Sequence, residues 1–403
     1  MRMNFCTPVP ARRISSKGKM ELRTLTREAS LVSVEAVYQN KSIDCGLFPV
    51  SPGDKIIKLY PNINTLSGRF LIKVSFLNEN REVIETTSFP YEVVDSEVMS
   101  TRLLDGSWTS IYFWSDEEAK HFGSGLKQMT DNDWKQHIYD MHEIGITSVV
   151  IQNVFDSASY VCQHQMTLES YNGSSLYPSE LYSRRAQMAA FDPLEAILAA
   201  ADECGMAVFP GVGLFAWFDF SRESLKWHIE VSKELYRKYG HHPSFYGWYI
   251  SEEIFGSLYF EYDPVPDQNY KDIAAFFEEY SAFIHELTPT KPIALAPNNI
   301  NMHLYKEQWA TILKNIDILI PFGFARSHNN IQDILEMCSL SGTHLWVDME
   351  LFEFPIVDGL VPKSFDEIIS EMKNYDVLEQ IFGFQFTGLM NAPGKSFNMG
   401  GAA

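Results

Sequence analysis

Cysteine is scarce and scattered in this chain: Cys6, Cys45, Cys162, Cys204 and Cys338 are odd in number, and no two stand in a CxxC pair. That usage excludes a disulfide framework or a cysteine-based zinc site and reads the five as buried thiols. Long apolar runs are missing as well. None approaches the roughly 20 residues that cross a bilayer, so membrane insertion is not expected. Basic charge is in short supply, with 32 Lys and Arg against 52 Asp and Glu and a net charge of −20. Nucleic acid and anionic membrane would be repelled, and a neutral or cationic ligand suits the chain better. The opening stretch "MRMNFCTPVPARRISSKGK" is basic but lacks the apolar core of a secretory signal, so the chain reads as cytoplasmic unless a leader has been removed.

What is present divides near residue 100. With 403 residues, 45% of them hydrophobic, the chain is long enough for one large domain and a smaller one. Between residues 30 and 95, short alternating runs such as "SLVSVEAVYQ", "KIIKLYP" and "GRFLIKVSFL" are separated by "SPGD", "NINTLSG" and "NENRE". Those separators are turn chemistry, and they predict an antiparallel β-sandwich, placed at 1–98. From 99 to 403 apolar runs alternate with amphipathic stretches. Candidate strands are "TSIYFW" (109–114), "TSVVIQN" (147–153), "MAVFPGVG" (206–213), "FYGWYIS" (245–251), "PIALAP" (292–297), "IDILIPFG" (316–323), "HLWVDME" (344–350) and "IFGFQFT" (381–387). Eight βα units in about 300 residues is the size of a (β/α)₈ TIM barrel. A doubly wound open sheet competes, but no GxGxxG or GxxxxGK follows any run, so no phosphate cradle supports it.

In a barrel, alternate residues of a strand face the interior. On the seventh run Leu345, Val347 and Met349 then point to the helices, leaving Trp346, Asp348 and Glu350 inward. On the fourth, Trp248 and Ile250 point out, leaving Gly247, Tyr249, Ser251 and Glu253 inward. Glu253 and Glu350 therefore reach the C-terminal ends of their strands, the face where barrel enzymes keep their chemistry. Glu252 is expected as the solvated or helix-capping neighbour, although a strand-end bulge would exchange it with Glu253. Two carboxylates across a barrel mouth are the equipment of glycoside hydrolysis. One donates a proton to the leaving oxygen; the other attacks the anomeric carbon or activates water, according to a spacing of about 5 or about 6.5 to 9.5 Å. Each glutamate taken singly fits an ion-pair partner or strand-end cap equally well.

The runs "DPLEAILAAADECGMAVFPGVGLF", "ELYRKYGHHPSFYGWYISEEI" and "LWVDMELF" give the chain a resemblance over roughly residues 100 to 395. It resembles a bacterial family of TIM-barrel, glycoside-hydrolase-like proteins from polysaccharide-degrading gut bacteria, and "HPSFYGWYISEE" is the most specific segment. The resemblance implies an acid/base Glu after strand four and a nucleophile Glu after strand seven, at Glu253 and Glu350. There is one departure. That clan places Asn directly before its acid/base Glu, where this chain has Glu252, which leaves the usual contact to the sugar 2-hydroxyl without its amide.

Aromatic residues are plentiful near the run ends: Trp108, Tyr112 and Trp114, then Trp217 and Phe218, Tyr259, Phe260 and Tyr262, and Phe322 and Phe324. Aromatic faces stack on pyranose rings while hydroxyls find polar partners. The expected substrate contacts are Trp114, Asn153, Trp217, Glu252, Asn298, Asp348 and Gln385, with Asn299, His328 and Asn391 also within reach of the mouth. No metal and no cofactor are expected, because His241 and His242 of "GHHPS" precede the fourth run, no HxH occurs on the first, and GxSxG is absent. Two readings follow. One is a glycosidase acting on an oligo- or polysaccharide; the other is a carbohydrate-binding protein on a hydrolase-like barrel, with the sandwich as binding module.

Overall fold

The structure, a computed structural model, describes residues 4–112, 125–156, 167, 169–213, 219–258, 270–326, 331–353, 361–387 and 389–390. Two sheets form first. Strands β1 (Asn4–Val9), β3 (Glu21–Thr26) and β6 (Ile57–Leu59) pair in the order β1-β3-β6. Strands β2 (Arg13–Ser15), β4 (Leu31–Tyr38), β5 (Lys41–Pro49), β7 (Gly68–Leu77) and β8 (Val83–Val94) pair in the order β2-β8-β7-β4-β5. Strand β4 alternates between half-buried and buried positions, and its buried Val32, Val34 and Ala36 meet Ile72, Val74, Leu22 and Leu59 in one apolar cluster drawn from both sheets. This is the sandwich that the alternating runs predict, except that it is not wholly antiparallel: β2 pairs with β8 in parallel. It also takes in the basic opening stretch, which had offered no motif.

The second body is a nearly closed parallel barrel. Its strands are β9 (Gly106–Thr109), β10 (Ser148–Ile151), β11 (Ala207–Val212), β12 (Trp248–Ile250), β13 (Ile293–Leu295), β14 (Ile318–Leu319), β15 (His344–Leu345), β16 (Val347–Glu350) and, beyond the short hairpin β17 (Phe352–Glu353) and β18 (Val361–Pro362), β19 (Ile381–Phe384). The sheet order is β15-β14-β13-β12-β11-β10-β9-β19-β16. Trp346 alone separates the two end strands, so the sheet runs almost full circle. Helices α1 (Asp131–Glu143), α2 (Pro193–Cys204), α3 (Arg222–Tyr239), α4 (Tyr270–Leu287), α5 (Lys306–Leu313), α6 (Ile331–Ser341) and α7 (Phe365–Met372) intervene. Four of their starts follow from capping chemistry: Thr130 and Ser364 form capping boxes and Asp192 and Ser221 accept from the first turn, while Gly205 ends α2 at φ 67°.

Strand parity comes out as the alternation predicts. Trp248, Ile250, Leu345, Val347 and Met349 join the helix residues in the outer cluster, whereas Tyr249 and Trp346 belong to the cluster inside the barrel. The first strand is a correction. It runs over Gly106–Thr109 rather than 109–114, and Trp108 is buried in the barrel interior rather than flanking a mouth. The reason is steric: a side chain at Gly106 would collide with the Phe382 ring, so the strand begins on small residues that the apolar run does not announce.

Val9 and Ala11 enter the inner cluster beside Trp108, Phe209, Tyr246 and Trp346. The Tyr246 hydroxyl donates to the Pro8 carbonyl at 2.6 Å and Tyr91 to the Pro10 carbonyl at 3.1 Å. The N-terminal segment thus closes the barrel floor, at the end opposite the strand C-termini.

Candidate active site

The C-terminal ends of the barrel strands bring together four charged groups. Glu253, just past β12, is half-buried, and Glu350, at the end of β16, is 5% exposed. The Arg326 guanidinium grips Glu350 bidentately, with Nε to Oε2 at 2.9 Å and an Nη on Oε1. Arg326 arrives through the turn after β14, where its amide donates to the Gly323 carbonyl at 3.1 Å. Gly323 holds φ +83° and lies close to both Arg326 and Asn298. Burial raises the Glu253 carboxyl, Arg326 pulls it back and the charge of Glu350 pushes it up, leaving it at about 7. Asp348, two residues before Glu350 on the same inward face, is driven well above the usual carboxylate range by burial and then by Glu350.

Glu252 does not match the expectation of a solvated or helix-capping neighbour: it is 1% exposed. Its Oε2 accepts weakly from the Asp219 amide at 3.4 Å, and its Oε1 lies 3.7 Å from His228 Nε2 on α3. Burial, followed by the charge of Asp219, raises its carboxyl well above the ordinary value. His228 is fully buried and its imidazole is lowered to about 4, first by burial. Its Nδ1 is 2.7 Å from the Ser224 carbonyl; a carbonyl only accepts, so Nδ1 carries the proton and Nε2 is bare.

The polar wall continues around the mouth. Asn153 donates to the Phe155 carbonyl at 2.7 Å, Gln385 Oε1 accepts from Ser110 at 2.9 Å, and Asn298 Oδ1 accepts from the Ile300 amide at 3.1 Å. Five buried polar atoms at or beside strand C-termini have no hydrogen-bond partner among the described residues: Gln152 Oε1, Asn153 Oδ1, Ser251 Oγ, Asp348 Oδ1 and His228 Nε2. Buried polar atoms are normally satisfied, so these five stand out at this end of the barrel. Trp114, Trp217, His328 and Asn391 lie outside the described residues, as do Phe218, Tyr259, Phe260 and Tyr262.

Arg326, His228 and Asp219 were missed by sequence reasoning. Arg326 carried one available signal, a guanidinium in the loop after an inward-facing strand of a strongly acidic chain; the buried His228 carried none. Among the described residues, Glu195, His241 and His242 are near enough to share a metal ion. However, both His242 nitrogens face carboxylates, Asp202 at 2.6 Å and Glu195 at 3.0 Å. Against the cost of burial, the two carboxylates raise the imidazole above its ordinary value and pair with it.

Comparison with known proteins places the barrel. Residues 104–396 match the family model described as "Domain of unknown function (DUF4434)". A beta-glucuronidase of Rattus norvegicus is 30% identical over 107 residues, 26% of this chain, and the chain spans only 15% of that relative's length. A solved structure provisionally described as an alpha-L-fucosidase from Bacteroides thetaiotaomicron aligns with 73% of this chain and 88% of its own, at TM-score 0.50 and 17% identity. Parabacteroides merdae beta-glucuronidase aligns with 100% of this chain and 50% of its own, at TM-score 0.44 and 13% identity. The structural neighbours are glycoside hydrolases, and at these identities the likeness concerns the fold.

Proposed function

For a chain that belongs to this DUF4434 family, we propose a glycoside hydrolase in which Glu253 is the general acid and Glu350 the nucleophile or general base. The observation that carries the reading is the pair of unlike carboxyls at one mouth. Glu253 is raised to about 7, first by burial and, against the pull of Arg326, by the charge of Glu350, and Glu350 is held by a bidentate guanidinium. Environments that set two carboxyls apart assign acid and base roles. Glu253 delivers its proton to the glycosidic oxygen as the bond breaks. Glu350 meets the anomeric carbon directly, or through a water if the two carboxyls stand farther apart. Arg326 keeps the Glu350 carboxylate oriented, since reacting atoms must meet at about 3 to 3.5 Å.

The same reading treats β15 and β16 as one stave interrupted at Trp346, which makes the barrel eightfold, and divides the chain into a sandwich (1–98) and a catalytic barrel (99–403). Asn153, Asn298, Asp348 and Gln385 orient sugar hydroxyls, with Trp114, Trp217 and Glu252 as further contacts. The ligand is an oligo- or polysaccharide.

A screen of aryl glycosides and glycans tests this. Glu350→Gln should lose nearly all turnover on every cleaved substrate, with partial rescue by azide. Glu253→Gln should keep activity on activated aryl glycosides, whose leaving groups need little protonation, and lose it on natural glycans. Wild-type rates in both variants, on a substrate the parent cleaves, would remove these two residues from the chemistry. Binding of glycans with no cleavage of any would leave a carbohydrate-binding protein.

A further inference from the structure

A second charged centre lies at the opposite end of the barrel. Arg12, between β1 and β2, carries a guanidinium that forms no hydrogen bond or ion pair among the described residues, and its Nε is shielded from water. Near it, the Lys291 ammonium donates to the Phe245 carbonyl and sits 5.5 Å from the centroid of the Phe245 ring. Burial, then the charge of Arg12, lowers Lys291 to about 8. The carboxylates in the neighbourhood are already committed. Glu92 receives Arg13 Nε at 2.8 Å and Arg69 Nε at 3.4 Å; Asp202 receives the Ser244 amide at 2.7 Å and His242 at 2.6 Å. Arg12 and Lys291 have no ion-pair carboxylate among the described residues, although the charge of Asp202 reaches Arg12, and in a chain with a net charge of −20 that is a costly arrangement unless something further neutralises them.

Arg12 lines a crevice of about 140 Å³ at the seam between sandwich and barrel. Arg69, Tyr91 and the Glu92 carboxylate, which pairs with Arg69 and Arg13, line it from the sandwich, and His142, Thr147 and Cys204 from the barrel. The space exceeds what one water needs. We propose that this crevice binds a small oxyanion, phosphate or carboxylate, held by the Arg12 and Arg69 guanidinium groups with the His142 imidazole. The anion supplies the charge that Arg12 lacks and bridges the two bodies of the chain. A guanidinium presents its donors in a planar fork that matches either oxyanion. Because the site exists only when both walls are in place, occupancy stabilises the folded chain by mass action.

The test is thermal unfolding and calorimetric titration of the full chain with inorganic phosphate, with sodium acetate as a second arm and sodium chloride at matched ionic strength as reference. Saturable stabilisation by phosphate beyond that of chloride is expected, lost in Arg12→Gln. Arg69 is 81% exposed on its side chain, so Arg69→Gln should fold normally and bind about tenfold more weakly, the loss expected for one charge-assisted contact. Saturation by acetate alone would support the site and assign a carboxylate. Equal responses to all three salts, or saturable binding unchanged in both variants, would overturn it.

Discussion

The neighbouring glutamates at the end of β12 have opposite surroundings, and each leads to a pH experiment. Glu253 must carry a proton to act as an acid, so kcat/KM should fall as pH rises through about 7. Arg326 is the cation that pulls this carboxyl down. Arg326→Met should move the alkaline limb to higher pH and reduce turnover about 10- to 100-fold as Glu350 loses its clamp; an unmoved limb would exclude Arg326 from tuning Glu253. Glu252 calls for a stability measurement. An unfolded glutamate ionises near 4.3, whereas the folded carboxyl stays protonated well above that. Folding therefore retains a proton that the unfolded chain releases, and Glu252 weakens the fold as pH rises above about 4.3. Glu252→Gln removes that cost while presenting an amide to the bare Nε2 of His228. It should be more stable than the parent at pH 7 and show a flatter pH dependence in urea unfolding; lower stability at both pH 4 and pH 7 would contradict this. The placement of Glu253 and Glu350 at strand ends was legible because strand parity is local. His228 and Arg326 were not, since what each touches lies 24 residues away along the chain and is set by how α3 and the turn after β14 pack.

At the level of elements, seven of the eight apolar runs carry a strand within their bounds, because a buried parallel sheet needs continuous Val, Ile, Leu and aromatic residues. The starting point of β9 was not legible. It depends on Phe382, nearly 280 residues away, filling the space where a side chain on Gly106 would stand. Trp346 is the inward residue between β15 and β16. It is fully buried, stacks on Phe382 with ring centroids 5.2 Å apart and planes 16° apart, and donates Nε1 to Glu379 at 3.2 Å. Trp346→Ala should cost about 3 to 5 kcal/mol by chemical denaturation. A loss below about 1 kcal/mol would mean that the two end strands close without it.

Across the whole molecule, buried charges join sandwich to barrel. Arg23 meets Asp317 at 2.5 Å. Despite burial, Arg23 and His285 hold Asp317 well below the usual carboxylate range. His344 faces Glu379 at 2.7 Å and Glu21 at 3.5 Å. Burial opposes protonation there, yet Glu379 and Glu21 raise the imidazole to about 9. An unfolded histidine titrates near 6.5, so folding takes up a proton between these values. The contribution, on the order of 3 kcal/mol, is complete below about pH 6.5 and disappears as pH rises through about 9. Urea midpoints should fall more steeply over that interval in the parent than in His344→Gln; parallel curves would mean that the seam does not depend on this proton. The closed floor has a kinetic consequence. Pro8 finds its partner 238 positions onward, at Tyr246, and Val9 packs in a cluster that reaches to Phe382. A segment that precedes the barrel in the chain is therefore among the last to reach its place, and refolding should be slow, with the floor locking only after the staves around it have closed.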